Sequence, residues 1–163
     1  MKRCIELASK GLGMTYPNPL VGCVIVYKDK VIGEGWHKKA GENHAEIEAI
    51  NNVKDKSKLK KSTLYVNLEP CSHYGKTGPC AMALIDAGVS RVVVACEDPN
   101  PLVSGKGIKM LEEAGIGVDV GLLEDQARAL NQGFIKRCEH GLPWVTIKMA
   151  SRIDGRSGMA SGQ

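Results

Sequence analysis

The sequence predicts an α/β domain in which helices pack on a mixed sheet. Three observations carry that prediction. After an initial pair of apolar runs that reads as a hairpin, strand and helix patterns alternate along the chain, the order that gives parallel strands with crossover helices. One run, "RVVVACEDPNP" at 91–101, is apolar almost without interruption before it breaks into a polar loop, which marks a strand buried on both faces. The chain has 163 residues, 43% of them hydrophobic, enough for one compact domain and a fragment of another. Aromatics make up only 4%, so Val, Ile, Leu and Met must fill the core.

The elements follow in order. "MKRCIELASKGLG" mixes polar and apolar residues and reads as an amphipathic helix with Ile5, Ala8 and Leu12 on one face, not as a signal peptide. In "PNPLVGCVIVYKDKVIGEGWH" (17–37) two Val/Ile-rich runs flank "KDK", a hairpin signal. A helix starts near His44. "STLYVNLEPC" (62–71) is a strand ending in proline, and "GPCAMALIDAG" (78–88) is a helix ending at Gly88. "GKGIKMLEEAG" (105–115) is a helix, "IGVDVG" a short strand and "LLEDQARALNQGFIKRCEHG" one longer helix. "LPWVTIKMA" (142–150) begins another strand, followed by the glycine-rich "RIDGRSGMASGQ". This gives two units: a first domain at 1–143, and at 144–163 the opening strand and loop of a second. Open α/β sheets bind ligands beyond the carboxyl ends of their strands, so the loops after Leu68 and Cys96 lie on the functional edge.

Several function classes drop out. No stretch approaches the roughly 20 apolar residues of a membrane span. The net charge of +4 is mild, and the lysine run "KDKSKLKK" (54–61) lacks the interleaved aromatics of a nucleic-acid surface, so it reads as a solvated loop. Six cysteines without a secretion signal point to reduced thiols in a cytoplasm, where metal or catalytic roles outrank disulfides. A cytoplasmic protein without nucleic-acid or membrane partners is expected.

"NHAEIEAINN" (43–52) puts His44 and Glu46 at a helix start. The strand ending in "EPC" delivers Cys71 to the functional edge, and "GPC" puts Cys80 at another helix N-terminus, where unpaired N–H groups favour a thiolate. One imidazole and two thiolates make a zinc site with its fourth position open; structural sites close with a fourth protein ligand, and none is spaced to supply one here. Zinc lowers the pKa of bound water to about 7, and Glu46 is placed to move that water's proton. Zinc deaminases carry such a pattern, H-x-E followed by P-C-x-x-C. Here "HAE" and "PC" are present, but eight residues ("SHYGKTGP") separate the cysteines instead of two. A lone HxE is a weak signal and a buried Cys is usually a small hydrophobe, the reading given to Cys4, Cys23, Cys96 and Cys138. The combination of HAE at a helix start with EPC at a strand end carries the zinc assignment.

The long spacing in "EPCSHYGKTGPC" resembles the deaminase domain of the bifunctional riboflavin-biosynthesis deaminase/reductase family. So do "TYPNPLVGCVIV", "GWHKKAGENHAE" and "EDPNPLVSGKGI", in the same order, and "VTIKMASRIDGRSGMASG" is similar to the opening of that family's reductase domain. Gly78, where proline is more frequent, and Arg152, where a small residue is usual, depart from the pattern. The resemblance implies a cytidine-deaminase-like three-layer α/β/α sandwich and Zn2+. It implies hydrolytic deamination of 2,5-diamino-6-(5-phosphoribosylamino)pyrimidin-4(3H)-one to 5-amino-6-(5-phosphoribosylamino)uracil, and self-association into a homo-oligomer. NADP(H)-dependent reduction, with Ala150 as a cofactor contact, is implied only where a complete reductase domain follows.

By the same resemblance, Asn18, His37, His73, Lys76, Asp98 and Asn100 line the substrate pocket. Each has a blander reading. Asn18, Asp98 and Asn100 suit turns, His37 suits a structural histidine, and Lys76 suits a solvated loop, although its place between two zinc cysteines favours a phosphate contact. "GKG" at 105–107 reads as a helix start. The nearest rival is a deaminase of a free base, nucleoside or tRNA adenosine, which generally has the short cysteine spacing. A structural zinc module binding nucleic acid would want a fourth ligand and a more basic surface.

Overall fold

Lys28 and Asp29 both adopt positive φ, 47° and 60°, as a two-residue hairpin turn requires. They join β1 (Gly22–Tyr27) to β2 (Lys30–Trp36) within the first described segment of the computed structural model, which describes residues 1–74, 78–101, 103–153 and 155. β1 also pairs antiparallel with β3 (Thr63–Val66), and β3, β4 (Arg91–Val94) and β5 (Gly117–Val120) run parallel. The sheet is therefore mixed, in the order β2-β1-β3-β4-β5.

Successive residues of a strand face opposite sides, and the burial follows that period. Cys23, Ile25, Leu64, Val66, Val92 and Val94 pack on one side against Ala45 and Ala49 of α2 (Ala45–Asn51), Ala81 and Leu84 of α3 (Cys80–Ala87) and Leu111 of α4 (Lys106–Glu113). On the other side Val24 and Tyr65 meet Cys4 and Leu7 of α1 (Lys2–Ser9). Beyond the strand ends, Leu68, Ala95 and Cys96 meet Ala127 of α5 (Glu124–Leu130) and Phe134 of α6 (Gln132–His140). The result is the expected three-layer α/β/α sandwich. Full burial stabilises each Val, Leu or Ile by roughly 1.5–3 kcal/mol, so β3 and β4, covered on both sides, anchor the fold.

Several local expectations change. The inward face of α1 is Cys4, Leu7 and Ala8; the helix stops at Ser9, so Leu12 lies beyond it and is 74% exposed. The lysine run forms a 3₁₀ turn at Lys56–Lys61, pinned by buried Leu59, and the Lys56 ammonium caps the carbonyls of Ile50 and Asn51 at the end of α2. The helix expected over 122–141 is broken at Asn131 (φ −106°, ψ 20°), whose side chain is spent on the backbone of Leu20. Residues 142–150 form no strand: no described strand pairs with them, and Val145, Ile147 and Met149 are exposed. Among the described residues no helix is long and apolar enough to cross a membrane.

Candidate active site

The three expected metal donors sit where regular elements begin or end. Gly33 and Gly35 leave β2 without side chains on the face that α2 covers; a Cβ at either position would overlap the backbone of Ala49. α2 therefore lies directly on the strand, and His44, in extended conformation (φ −72°, ψ 162°), starts the helix at that depth. Cys71 follows the exit of β3, and Cys80 is the first residue of α3. The Cys80 backbone N–H donates to Cys71 Sγ (3.3 Å), so the start of α3 points at a sulfur. His44 Nδ1 lies 3.6 Å from Cys71 Sγ and 3.2 Å from Cys80 Sγ, and the three donor atoms lie within 4.8 Å of one another. A tetrahedral ion with Zn–S of about 2.3 Å and Zn–N of about 2.0–2.1 Å would separate N from S by about 3.6 Å. The donor set and its spacing fit zinc.

Glu46 shares this end of the cavity and is 3% exposed. Burial pushes its carboxyl up to about 7, against the pull of His44. Hydrogen bonding from Cys80 holds the Cys71 thiol well down, at about 4, with His44 adding to the effect. The reciprocal bond and burial push Cys80 up. A dication among these donors would draw both sulfurs to thiolate. His37 stands edge-on to the His44 ring, with centroids 5.4 Å apart. Its Nδ1–H donates to Asn43 O (3.0 Å), since a carbonyl only accepts, which leaves Nε2 to accept from Asn18 Nδ2 (3.1 Å). His37 is thus a satisfied buried histidine that also orients Asn18.

One cavity of about 330 Å³ gathers Asn18, His37, His44, Glu46, Cys71, His73, Asp98 and Asn100. Cys80 joins the metal cluster behind it. Lys76 lies outside the described residues, and Ala150 is exposed outside the sheet. Burial raises the Asp98 carboxyl to about 6, and its Oδ1 accepts from the Asn100 N–H at 2.8 Å.

Sequence reasoning missed the side chains that hold this cavity in shape. Glu69, only 4% exposed, accepts from four backbone N–H groups: Asp98 (3.1 Å), Gly105 (2.9 Å), Gly107 (2.9 Å) and Ile108 (3.3 Å). It ties the end of β3 to the loop carrying Asp98 and Asn100. Asn67, fully buried, accepts from Gly22 N and donates to Leu20 O, while Asn131 accepts from Leu20 N and donates to the same carbonyl. These two asparagines fix the "PNPL" segment that carries Asn18. Phe134 and Arg137, from α6, also line the cavity. For Glu69 a signal existed, an acid just past a strand end and two residues before a candidate ligand cysteine. For the asparagines there was none, because their partners lie 45 to 111 residues away.

Residues 1–96 match the model of the cytidine and deoxycytidylate deaminase zinc-binding region. The riboflavin biosynthesis protein RibD of Haemophilus influenzae is 52% identical over the whole chain, which covers 43% of that protein. The diaminohydroxyphosphoribosylamino-pyrimidine deaminase of Buchnera aphidicola is 52% identical over 143 residues, 88% of this chain and 96% of the relative. Among solved structures, RibD of Acinetobacter baumannii superposes with a TM-score of 0.93 at 55% identity, covering 99% of this chain and 45% of that one. The chain thus spans less than half the length of the RibD proteins it matches. The zinc-compatible His/Cys/Cys cluster, the mixed sheet and these likenesses agree, and the chain belongs to the cytidine and deoxycytidylate deaminase family, in the branch of the riboflavin-biosynthesis deaminases.

Proposed function

We propose that this chain holds zinc through His44, Cys71 and Cys80 and removes the 2-amino group of 2,5-diamino-6-(5-phosphoribosylamino)pyrimidin-4(3H)-one, yielding 5-amino-6-(5-phosphoribosylamino)uracil and ammonia in riboflavin biosynthesis. The observation that carries this reading is the donor triangle beside the buried Glu46 carboxyl group in the cavity that gathers the expected pocket residues. Zinc bound there supplies Lewis acidity that makes water a nucleophile near neutral pH. The water oxygen bonds to C2 of the pyrimidine, the C2–N bond breaks, and the amino nitrogen leaves as ammonia. Glu46 takes a proton from the incoming water and returns it to the departing nitrogen. Asn18, oriented by His37, presents its amide to the pyrimidine edge, and Asp98 and Asn100 sit across the cavity where the clamped loop holds them. His73 and Lys76, both between the zinc cysteines, meet the phosphoribosyl arm.

Four further readings accompany this one. The deaminase domain ends near residue 143, and 144–163 opens a reductase domain. Ala150 contacts NADP(H) only where that domain is complete. The protein self-associates. It acts in the cytoplasm, without nucleic-acid partners.

The test is zinc content together with ammonia release from the phosphoribosyl pyrimidine, cytidine, deoxycytidylate and a tRNA adenosine substrate. One zinc per chain and a preference of at least about 10²-fold in kcat/KM for the phosphoribosyl pyrimidine are expected. Faster release from any of the other three would overturn the substrate assignment.

A further inference from the structure

Arginines on the elements of this fold are mostly neutralised. Arg3 pairs with Glu34 and Glu6, Arg91 with Asp119, and Arg128 with Glu139. Arg137 on α6 has no carboxylate within 4.0 Å among the described residues, although it is half-buried. Its Nη2 donates to Pro17 O at 2.7 Å, and its guanidinium lies 5.6 Å from the Tyr16 ring centroid and 5.7 Å from that of Phe134. A guanidinium carries five N–H donors in a rigid plane, and the described residues use one. The two rings and the carbonyl hold that plane without consuming its charge.

Arg137 is also the one Lys or Arg among the described residues that line the cavity with Glu46 and the metal donors. Its neighbours there do not neutralise it. The Glu69 and Asp98 carboxylates are directed elsewhere, Glu69 onto four backbone N–H groups and Asp98 onto that of Asn100, and neither forms an ion pair with Arg137 among the described residues. A pre-oriented fork with an uncompensated charge, at the rim of a cavity of about 330 Å³, is matched to a planar or tetrahedral oxyanion.

We propose that Arg137 forms the anion subsite of this cavity and grips the phosphate of the sugar-phosphate arm, with Tyr16 and Phe134 backing the guanidinium. The assignment rests on the phosphoribosyl-pyrimidine reading and adds a cation from outside the cysteine-bearing loop. It makes Arg137 a specificity residue that separates phosphorylated from unphosphorylated substrates.

The kinetic test compares wild type, Arg137→Ala and Arg137→Lys, all zinc-loaded, on the phosphoribosyl substrate and on its dephosphorylated analogue. Arg137→Ala should lower kcat/KM for the phosphorylated substrate about 10- to 100-fold, chiefly through KM. The analogue should change by no more than about twofold, and Arg137→Lys should recover part of the loss. Equal losses on both substrates would mean that Arg137 only shapes the Pro17 segment, and would overturn the subsite. A calorimetric titration with ribose 5-phosphate needs no turnover. Binding weakened at least about tenfold by Arg137→Ala supports the subsite, whereas equal binding by both proteins, or none by wild type, overturns it. If ribose 5-phosphate binding depends on Arg137 while the phosphoribosyl pyrimidine releases no ammonia, the reaction assignment fails and the anion subsite stands.

Discussion

The two walls of the cavity are built on different plans. On the metal side each donor is placed by the backbone at the boundary of an element: His44 before α2, Cys71 after β3, Cys80 opening α3. On the facing side the chain is irregular, and the segments carrying Asn18, Asp98 and Asn100 are held by single side chains reaching from elsewhere, namely Asn67, Asn131 and Glu69. The difference shows where each kind of failure begins. On the proposed function, losing a donor should remove the chemistry and leave the scaffold. Losing a clamp should leave the chemistry and loosen what positions the substrate.

The largest effect expected from this contrast is at the donors. Cys71→Ser or Cys80→Ser should abolish zinc binding and ammonia release together, because a neutral hydroxyl is a far poorer ligand than a thiolate. Cys138→Ser, at a half-buried position away from the cluster, should leave zinc content unchanged. Metal analysis of the purified variants decides the point, and zinc retained at one equivalent in either ligand variant would refute the three-donor assignment.

Next in size is Glu46→Gln. The amide can still hydrogen-bond to water but cannot carry its proton, so turnover should fall by about 10² to 10⁴ with zinc and thermal stability retained. Near-normal turnover of the zinc-loaded variant would remove Glu46 from proton transfer.

The smallest effect tests the clamped wall. Glu69→Gln replaces an acceptor-only group by one with a single acceptor oxygen, facing four N–H donors. Each N–H left unsatisfied should cost about 1–3 kcal/mol in urea unfolding, and KM should rise while zinc content holds. Loss of zinc instead would show that the two walls are not independent.

The contrast also explains what was legible in the sequence. His44, Glu46, Cys71 and Cys80 announce themselves through short local motifs, since the backbone that places them is written in the same few residues. The sheet and its flanking helices were legible for a related reason: strand alternation and Gly88 as a helix terminator are local signals. The clamps are contacts across 29 to 111 residues, and an asparagine in a strand exit carries no mark of the carbonyl it will meet. The break at Asn131 has the same origin. Its flanks are good helix, and only the distant Leu20 backbone recruits the side chain that interrupts them. The face of α1 was misjudged because Leu12 continues the apolar period past the point where the helix stops.

Gly33 and Gly35 have a bearing on how the metal site could drift over evolutionary time. Their missing side chains set the spacing between β2 and α2 like a shim, and the height of that helix is the height of both His44 and Glu46. The proposed ligand and the proposed proton carrier therefore ride on one helix start whose level is set from the outermost strand of the sheet. A methyl group added there acts on both residues together, lifting them relative to the cysteines, which belong to a different part of the sandwich. The edge hairpin, through the helix it seats, is the gauge block of the candidate active site.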